Sequence, residues 1–205
     1  WGIRAEKTLN VVSGSAVPDN FVAGPGSVVN ITGGAVGVNL EALDAEVNVS
    51  GGTIGAISDV FGATTVNMTG GFIGRALDAY HGSIINIHEG AIGEDMRAYG
   101  AIVNIHGGSI GEDFKAADRA SVVLTDGVVE DNLQIIDSVV NISGGEIGDT
   151  LWTISTEAMA SRNGAELVSS YTICGRCTSS PIRTTGQASR STRRGPSHRF
   201  PRPCA

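Results

Sequence analysis

Aromatic side chains are scarce in this sequence, Phe, Trp and Tyr together making up 5% of it. That scarcity suits a chain of many tight turns and thin packed layers. No run of about 18 apolar residues occurs, which excludes a membrane-spanning helix. The chain opens on Trp1 with neither a basic region nor an apolar stretch, so no signal peptide is legible. Either such a segment has been removed or the chain is a fragment. Basic side chains are also scarce before residue 150, where 6 stand against 19 acidic ones. Beyond that point the balance inverts to 8 basic and 2 acidic, and all three cysteines (Cys174, Cys177 and Cys204) lie there. A compositional break this sharp places a boundary near residue 150.

Glycine, by contrast, is plentiful, and it falls at fixed places. Asn10, Asn30, Asn48, Asn67, Asn86, Asn104, Val123 and Asn141 are separated by 20, 18, 19, 19, 18, 19 and 18 residues. The text around them barely changes. It reads VNITGGAVG from Val29, VNVSGGTIG from Val47, VNMTGGFIG from Val66, INIHEGAIG from Ile85, VNIHGGSIG from Val103 and VNISGGEIG from Val140. VVLTDGVVE from Val122 is degenerate but keeps the register. The period is too short for two-helix repeats, and no leucine-rich pattern is present.

Within one repeat, Val-Asn-Ile alternates apolar and polar residues with period two, the pattern of a half-buried strand. Gly-Gly then signals a tight turn with positive φ. A second short strand carries Val36, Ile54, Ile73, Ile92, Ile110, Val129 and Ile147. A third column follows at Phe21, Leu40, Leu77, Met96, Phe114, Leu133 and Leu151, with Ser58 as the exception. Two residues further come Ala23, Ala42, Val60, Ala79, Ala98, Ala116 and Ile135. Large and small inward positions at a spacing of two describe a third strand whose layers interdigitate. The expected fold is therefore all-β, a parallel β-solenoid (β-helix). It has three short strands per coil, 18–20 residues per coil and about eight coils over residues 1–150, wound right-handed.

This coil text, VNIxGGxIG across roughly residues 8–150, resembles that of bacterial parallel β-helix repeat proteins, the adhesin and autotransporter-passenger surface solenoids. The resemblance implies a secreted or cell-surface protein with a structural or adhesive role and no catalysis. It specifies a fold far better than a function.

With Val and Ile of each VNI turned inward, one flat face displays an Asn file containing Asn48, Asn67, Asn86 and Asn104. Beside it runs a file of Thr32, Ser50, Thr69, His88, His106, Thr125 and Ser143. The simplest reading is a soluble strand face with hydrogen bonding along the ladder. The functional reading is a regular array of hydroxyls and amides that binds polysaccharide. An ice lattice is a further alternative, against which the missing Thr-x-Thr rows and the two histidines count. His88 and His106, 18 residues apart in equivalent places, are expected to stack, and two neutral imidazoles there can ligate a metal. No third ligand is identifiable in the sequence, so exposed spacer histidines are the favoured reading.

After the second turn comes an acidic ladder of Glu94, Asp95, Glu112, Asp113 and Asp131, continued by Asp149. Stacked like charges are costly unless solvent, a basic neighbour such as Arg97 or Lys115, or a cation relieves them. Calcium, which takes several carboxylate and carbonyl oxygens, is the candidate ion, although the GGxGxDxUx nonapeptide is missing. A pectate-lyase-like polysaccharide-degrading enzyme is the competing class, because many β-helix proteins are of that kind. It would need paired carboxylates, or a bound cation with a basic residue, in a walled cleft. Here the acids follow the repeat register, basic residues are few and the loops are short. Four Asn-x-Ser/Thr sequons fall out of the repeat automatically and lie mid-strand.

Residues 151–205 read as a basic Ser/Thr/Arg/Pro-rich tail without apolar periodicity, and disorder is expected over most of 170–205. Cys174, Cys177, His198 and Cys204 offer zinc donors, but a lone CxxC with distant partners is weak evidence. No RNA-binding motif accompanies the basic run, so no nucleic-acid partner is expected. A frame slip near residue 150 is a third reading. Triplets read from the third codon position turn Trp152-Thr153 into an Asp and permit Leu-Asp-x-x-x-Gly-Ser, the text of Leu77–Ser83. Uncapped coils at the ends of such a rod would invite end-to-end self-association. The partners expected are carbohydrate or other cell-surface components.

Overall fold

The computed structural model describes residues 1–148, 150–154, 159–162, 166–167 and 171–172. The zinc donors and most of the tail expected to be disordered lie outside the described residues, as does Asp149. Over the described residues the chain is an all-β parallel solenoid of about eight turns, without a helix. Among the described residues the strand pairings are all parallel, and they form two sheets of 10 and 12 strands.

The 12-stranded sheet contains six strands of nine residues, Val28–Val36, Glu46–Ile54, Thr65–Ile73, Ile84–Ile92, Ile102–Ile110 and Ser121–Val129. Each joins what the sequence presents as two short strands. In Val28–Val36 the buried positions are the second, fourth and ninth. Alternation keeps one phase up to Ile31 and resumes in the other at Val36, so the strand changes face across the Gly pair without leaving the sheet. Register shifts mark that point, for instance between Ile31, Thr32 and Ala35. In the first and last complete coils the two parts stay separate, as Thr8–Val11 with Ala16–Val17 and Val139–Ile142 with Glu146–Ile147.

The second glycine of the pair is the position that demands glycine. Gly52 has φ +75°, and a Cβ there would lie 2.3 Å from the carbonyl oxygen of Gly34 one coil earlier. Backbone meets backbone at the corner, and no rotamer relieves the contact. The first glycine is replaced by Glu89 and Asp126 in two coils.

The shaft is filled by ladders. Ile54, Ile73, Ile92 and Ile110 are consecutive register partners, each no more than 2% exposed. The other sheet repeats short strands such as Glu41–Leu43, Ser58–Phe61, Leu77–Ala79, Arg97–Tyr99 and Lys115–Ala117. Its inward residues alternate large and small, Leu77 with Ala79 and Met96 with Ala98, all buried. Neighbouring coils stand about 4.8 Å apart, so no coil buries its own apolar face and each depends on the next. Ser58 interrupts the large column yet remains buried. Past residue 150 the described strands stay in the same sheets. Leu151–Ile154 pairs with Leu133–Ile136 in the register Leu133↔Leu151.

Two further corners close each turn. One holds Asn20, Asn39, Ile57, Ala76, Asp95, Asp113 and Asn132, all with positive φ. The other is lined inside by Ser27, Ala45, Thr64, Ser83, Ala101, Ala120 and Ser138, all buried. Thr64, Ser83 and Ser138 turn their hydroxyls back to a carbonyl of their own corner, as Ser138 Oγ does to Ile136 O at 2.8 Å, whereas the buried Ser27 Oγ has no hydrogen-bond partner among the described residues.

Candidate functional site

The flat face over the VNI strands carries the predicted array. Asn30 donates from Nδ2 to Oδ1 of Asn10 at 2.9 Å, Asn48 to Asn30 at 3.1 Å and Asn67 to Asn48 at 3.0 Å. Asn86 donates to Asn67 and Asn104 to Asn86, both at 2.9 Å. Each amide between the two ends gives a proton to the coil before it and accepts one from the coil after it. The chain of amides is polarised along the rod axis. It stops at Val123, which has nothing to give or take. Asn48, Asn67, Asn86 and Asn104 are half-buried, so the ladder is a floor more than a set of free ligands.

Thr32, Ser50, Thr69, His88, His106, Thr125 and Ser143 stand exposed beside that floor. The expected imidazole pair is present, with His88 and His106 ring centroids 5.3 Å apart and tilted by 41°. His106 Nδ1 lies 2.8 Å from Thr125 Oγ1 in the following coil.

The acids proposed for calcium occupy a corner. Asp95 and Asp113 are two of its positive-φ residues, at +60° and +62°. Asp and Asn tolerate that conformation better than most residues, so the corner itself accounts for both. Asp95 is paired with Arg75 at 3.3 Å and Arg97 at 4.0 Å. Asp113 accepts a hydrogen bond from Asn132 Nδ2, and Asp131 accepts one from the Asn132 backbone N–H at 2.7 Å. Glu94 and Glu112 are exposed beside them. Lys115, expected near the acids, instead lies over the Tyr99 ring, 5.9 Å from its centroid. Among the described residues no three His, Cys, Asp or Glu side chains gather to hold a metal ion.

A third outward feature went unread in the sequence. Phe61, Tyr80 and Tyr99 form a continuous stack, with centroids 4.7 and 5.7 Å apart and ring planes within 8° and 23°. The signal was available, because the three rings recur at the coil period just before the corner. Beside the rings runs a charge column in register, Glu41, Asp59, Asp78, Arg97 and Lys115. Arg97 lies 3.4 Å from Asp78. Asp59 has acids on both sides, and its carboxyl is pushed up by burial first, then by Asp78 and Glu41. Burial, then Asp59 and Asp78, also pushes the Tyr80 hydroxyl up. Tyr80, with a ring on either side, has both its faces covered within the stack.

A shallow concavity of about 470 Å³ is bordered by Ser27, Asp44, Glu46, Thr65 and Asn67, among others. Its two carboxylates serve the fold. Asp44 accepts from the Ala63 backbone N–H and Glu46 from Asn48 Nδ2, each at 2.8 Å. Among the described residues no helix is long and apolar enough to cross a membrane. In comparisons with known proteins, no family model, no curated protein and no solved structure matches this chain.

Proposed function

We propose that this solenoid is a structural and adhesive module of a secreted or cell-surface bacterial protein, presenting its flat face to carbohydrate or other surface components. One observation carries the reading. Six asparagines joined amide to amide form a level, pre-ordered floor. Exposed Thr and Ser hydroxyls stand on it at the coil spacing of about 4.8 Å. Such a surface meets an extended polymer with little ordering cost, because its side chains are already fixed by their neighbours. It offers many weak equivalent contacts instead of one deep pocket, which suits adhesion through multivalency. The engagement of Asp44 and Glu46 in backbone and amide hydrogen bonds favours this reading over a catalytic one.

A glycan array probed with the labelled chain tests the proposal. Binding to an extended polysaccharide is expected, and the variant Thr32→Arg/Thr69→Arg, which raises long side chains from the exposed file, abolishes it. No glycan bound, or binding unchanged in that variant, overturns the reading.

A further inference from the structure

We propose that His88 and His106 together bind one divalent transition-metal ion of the imidazole-preferring kind, with Cu²⁺ the tightest. The two residues follow directly on the register pairs Asn86↔Asn104 and Ile87↔Ile105, so they project side by side from adjacent coils. Their rings are exposed, with centroids 5.3 Å apart. Two nitrogens on one ion at about 2.0–2.1 Å each lie no more than about 4 Å apart. The His88 ring is exposed and, among the described residues, has no such anchor as Thr125 gives His106, so its rotation is the movement that closes its nitrogen on that separation.

The hydrogen bonding around His106 prepares it as a ligand. Thr125 Oγ1 has a single proton, and Ile105 O lies 3.3 Å away to accept it. With that proton given to the carbonyl, Oγ1 is left to accept from Nδ1–H of His106 at 2.8 Å. The neutral ring then carries its lone pair on Nε2, the nitrogen free to bind a metal. A partner of this kind, which fixes tautomer and ring orientation from behind, is the usual support of a metal-binding histidine.

The surroundings favour a cation as well. Glu89 and Asp126 are the two acids that replace the first glycine of the corner pair, Glu89 in the coil of His88 and Asp126 in the coil that follows His106. Glu89 directly follows His88, and Asp126 is the register partner of His106. Their negative charge attracts a divalent ion without supplying a third protein ligand, and water completes the coordination. Nitrogen donors select Cu²⁺, Ni²⁺ or Zn²⁺ over calcium, and Cu²⁺ heads the affinity order. Bound there, the ion staples two consecutive coils together on the proposed adhesive face.

The test is Cu²⁺ titration of the full chain after its cysteines are alkylated, followed by electron paramagnetic resonance and thermal unfolding. The expected result is one tightly bound Cu²⁺ with superhyperfine splitting from imidazole nitrogens, and a raised melting temperature. His88→Gln or His106→Gln weakens that binding at least tenfold while leaving the metal-free melting temperature unchanged. Thr125→Val weakens it by about 10-fold or more through lost ring orientation, and Thr125→Ser restores it. Copper bound equally well by the His88→Gln/His106→Gln double variant, or no copper bound at all, overturns the proposal.

Discussion

Ile57 is the residue least suited to its place. It sits at φ +60° in the corner where other coils have Asn20, Asn39, Asp95, Asp113 and Asn132. A β-branched side chain in the left-handed region costs about 1–2 kcal/mol. At 56% exposure Ile57 returns little burial for that strain. Ile57→Asn is therefore expected to stabilise the chain by about 1 kcal/mol, read as a higher midpoint in urea. Asp59 makes a second prediction at this scale. Its carboxyl holds a proton more tightly in the folded chain than in the unfolded one, because of burial, Asp78 and Glu41. A raised folded value means a stability contribution present at low pH and lost as pH climbs through that value. Asp59→Asn should thus raise the melting temperature at pH 7, and the gain should vanish below the ordinary carboxylate range. A variant equally stabilised at pH 3 would contradict this cause. The corner also supplies a reason for acids at this place that is independent of any cation. Composition shows the charge of Asp95 and Asp113, but only backbone angles show that a left-handed residue is required there.

At the scale of the strand, the asparagine ladder is the feature most specific to this chain. Removing one rung strands an acceptor on one side and a donor on the other. Asn67→Ala leaves Asn48 Oδ1 without its donor and Asn86 Nδ2 without its acceptor. A loss of about 1–2 kcal/mol is expected by chemical denaturation. No measurable change would mean that water replaces the rung at no cost. The apolar columns were legible because inward residues repeat in kind as well as in spacing, as Ile73, Ile92 and Ile110 do. The union of two short strands into one was not legible. Gly-Gly reads as a break, and whether hydrogen bonding continues through it depends on the strands stacked on either side. Phe61, Tyr80 and Tyr99 do recur at the coil period, and only that period, not their immediate neighbours in sequence, announces them. Three rings among so few aromatics carry no local pattern, and their contact exists only after the coils are stacked.

For the whole molecule, quasi-one-dimensional packing makes each coil an interchangeable unit. Excision of residues 65–83 joins Thr64 to Ile84, which takes over the register position of Thr65. Asn86 then stands beside Asn48, Tyr99 beside Phe61, and Arg97 beside Asp59, where an ion pair replaces a repulsion. The shortened chain should keep its parallel-β circular dichroism and a cooperative melt, whereas excision of 65–74 alone should destroy both. The site was less legible than the fold at this scale too. A repeat determines what faces inward through packing, but it leaves outward residues free to vary, so the spacing of His88 and His106 announced their stacking while the support from Thr125 one coil further on did not show.

Stacking itself is tested most directly by nuclear Overhauser contacts in isoleucine-methyl-labelled protein. The account predicts strong cross-peaks between Ile73 and Ile92 and between Ile92 and Ile110. It predicts none of comparable strength between Ile73 and Ile110, which lie two coils or about 9.6 Å apart. Missing neighbour contacts, or methyls of these three residues meeting unrelated segments instead, would contradict the winding on which everything else rests.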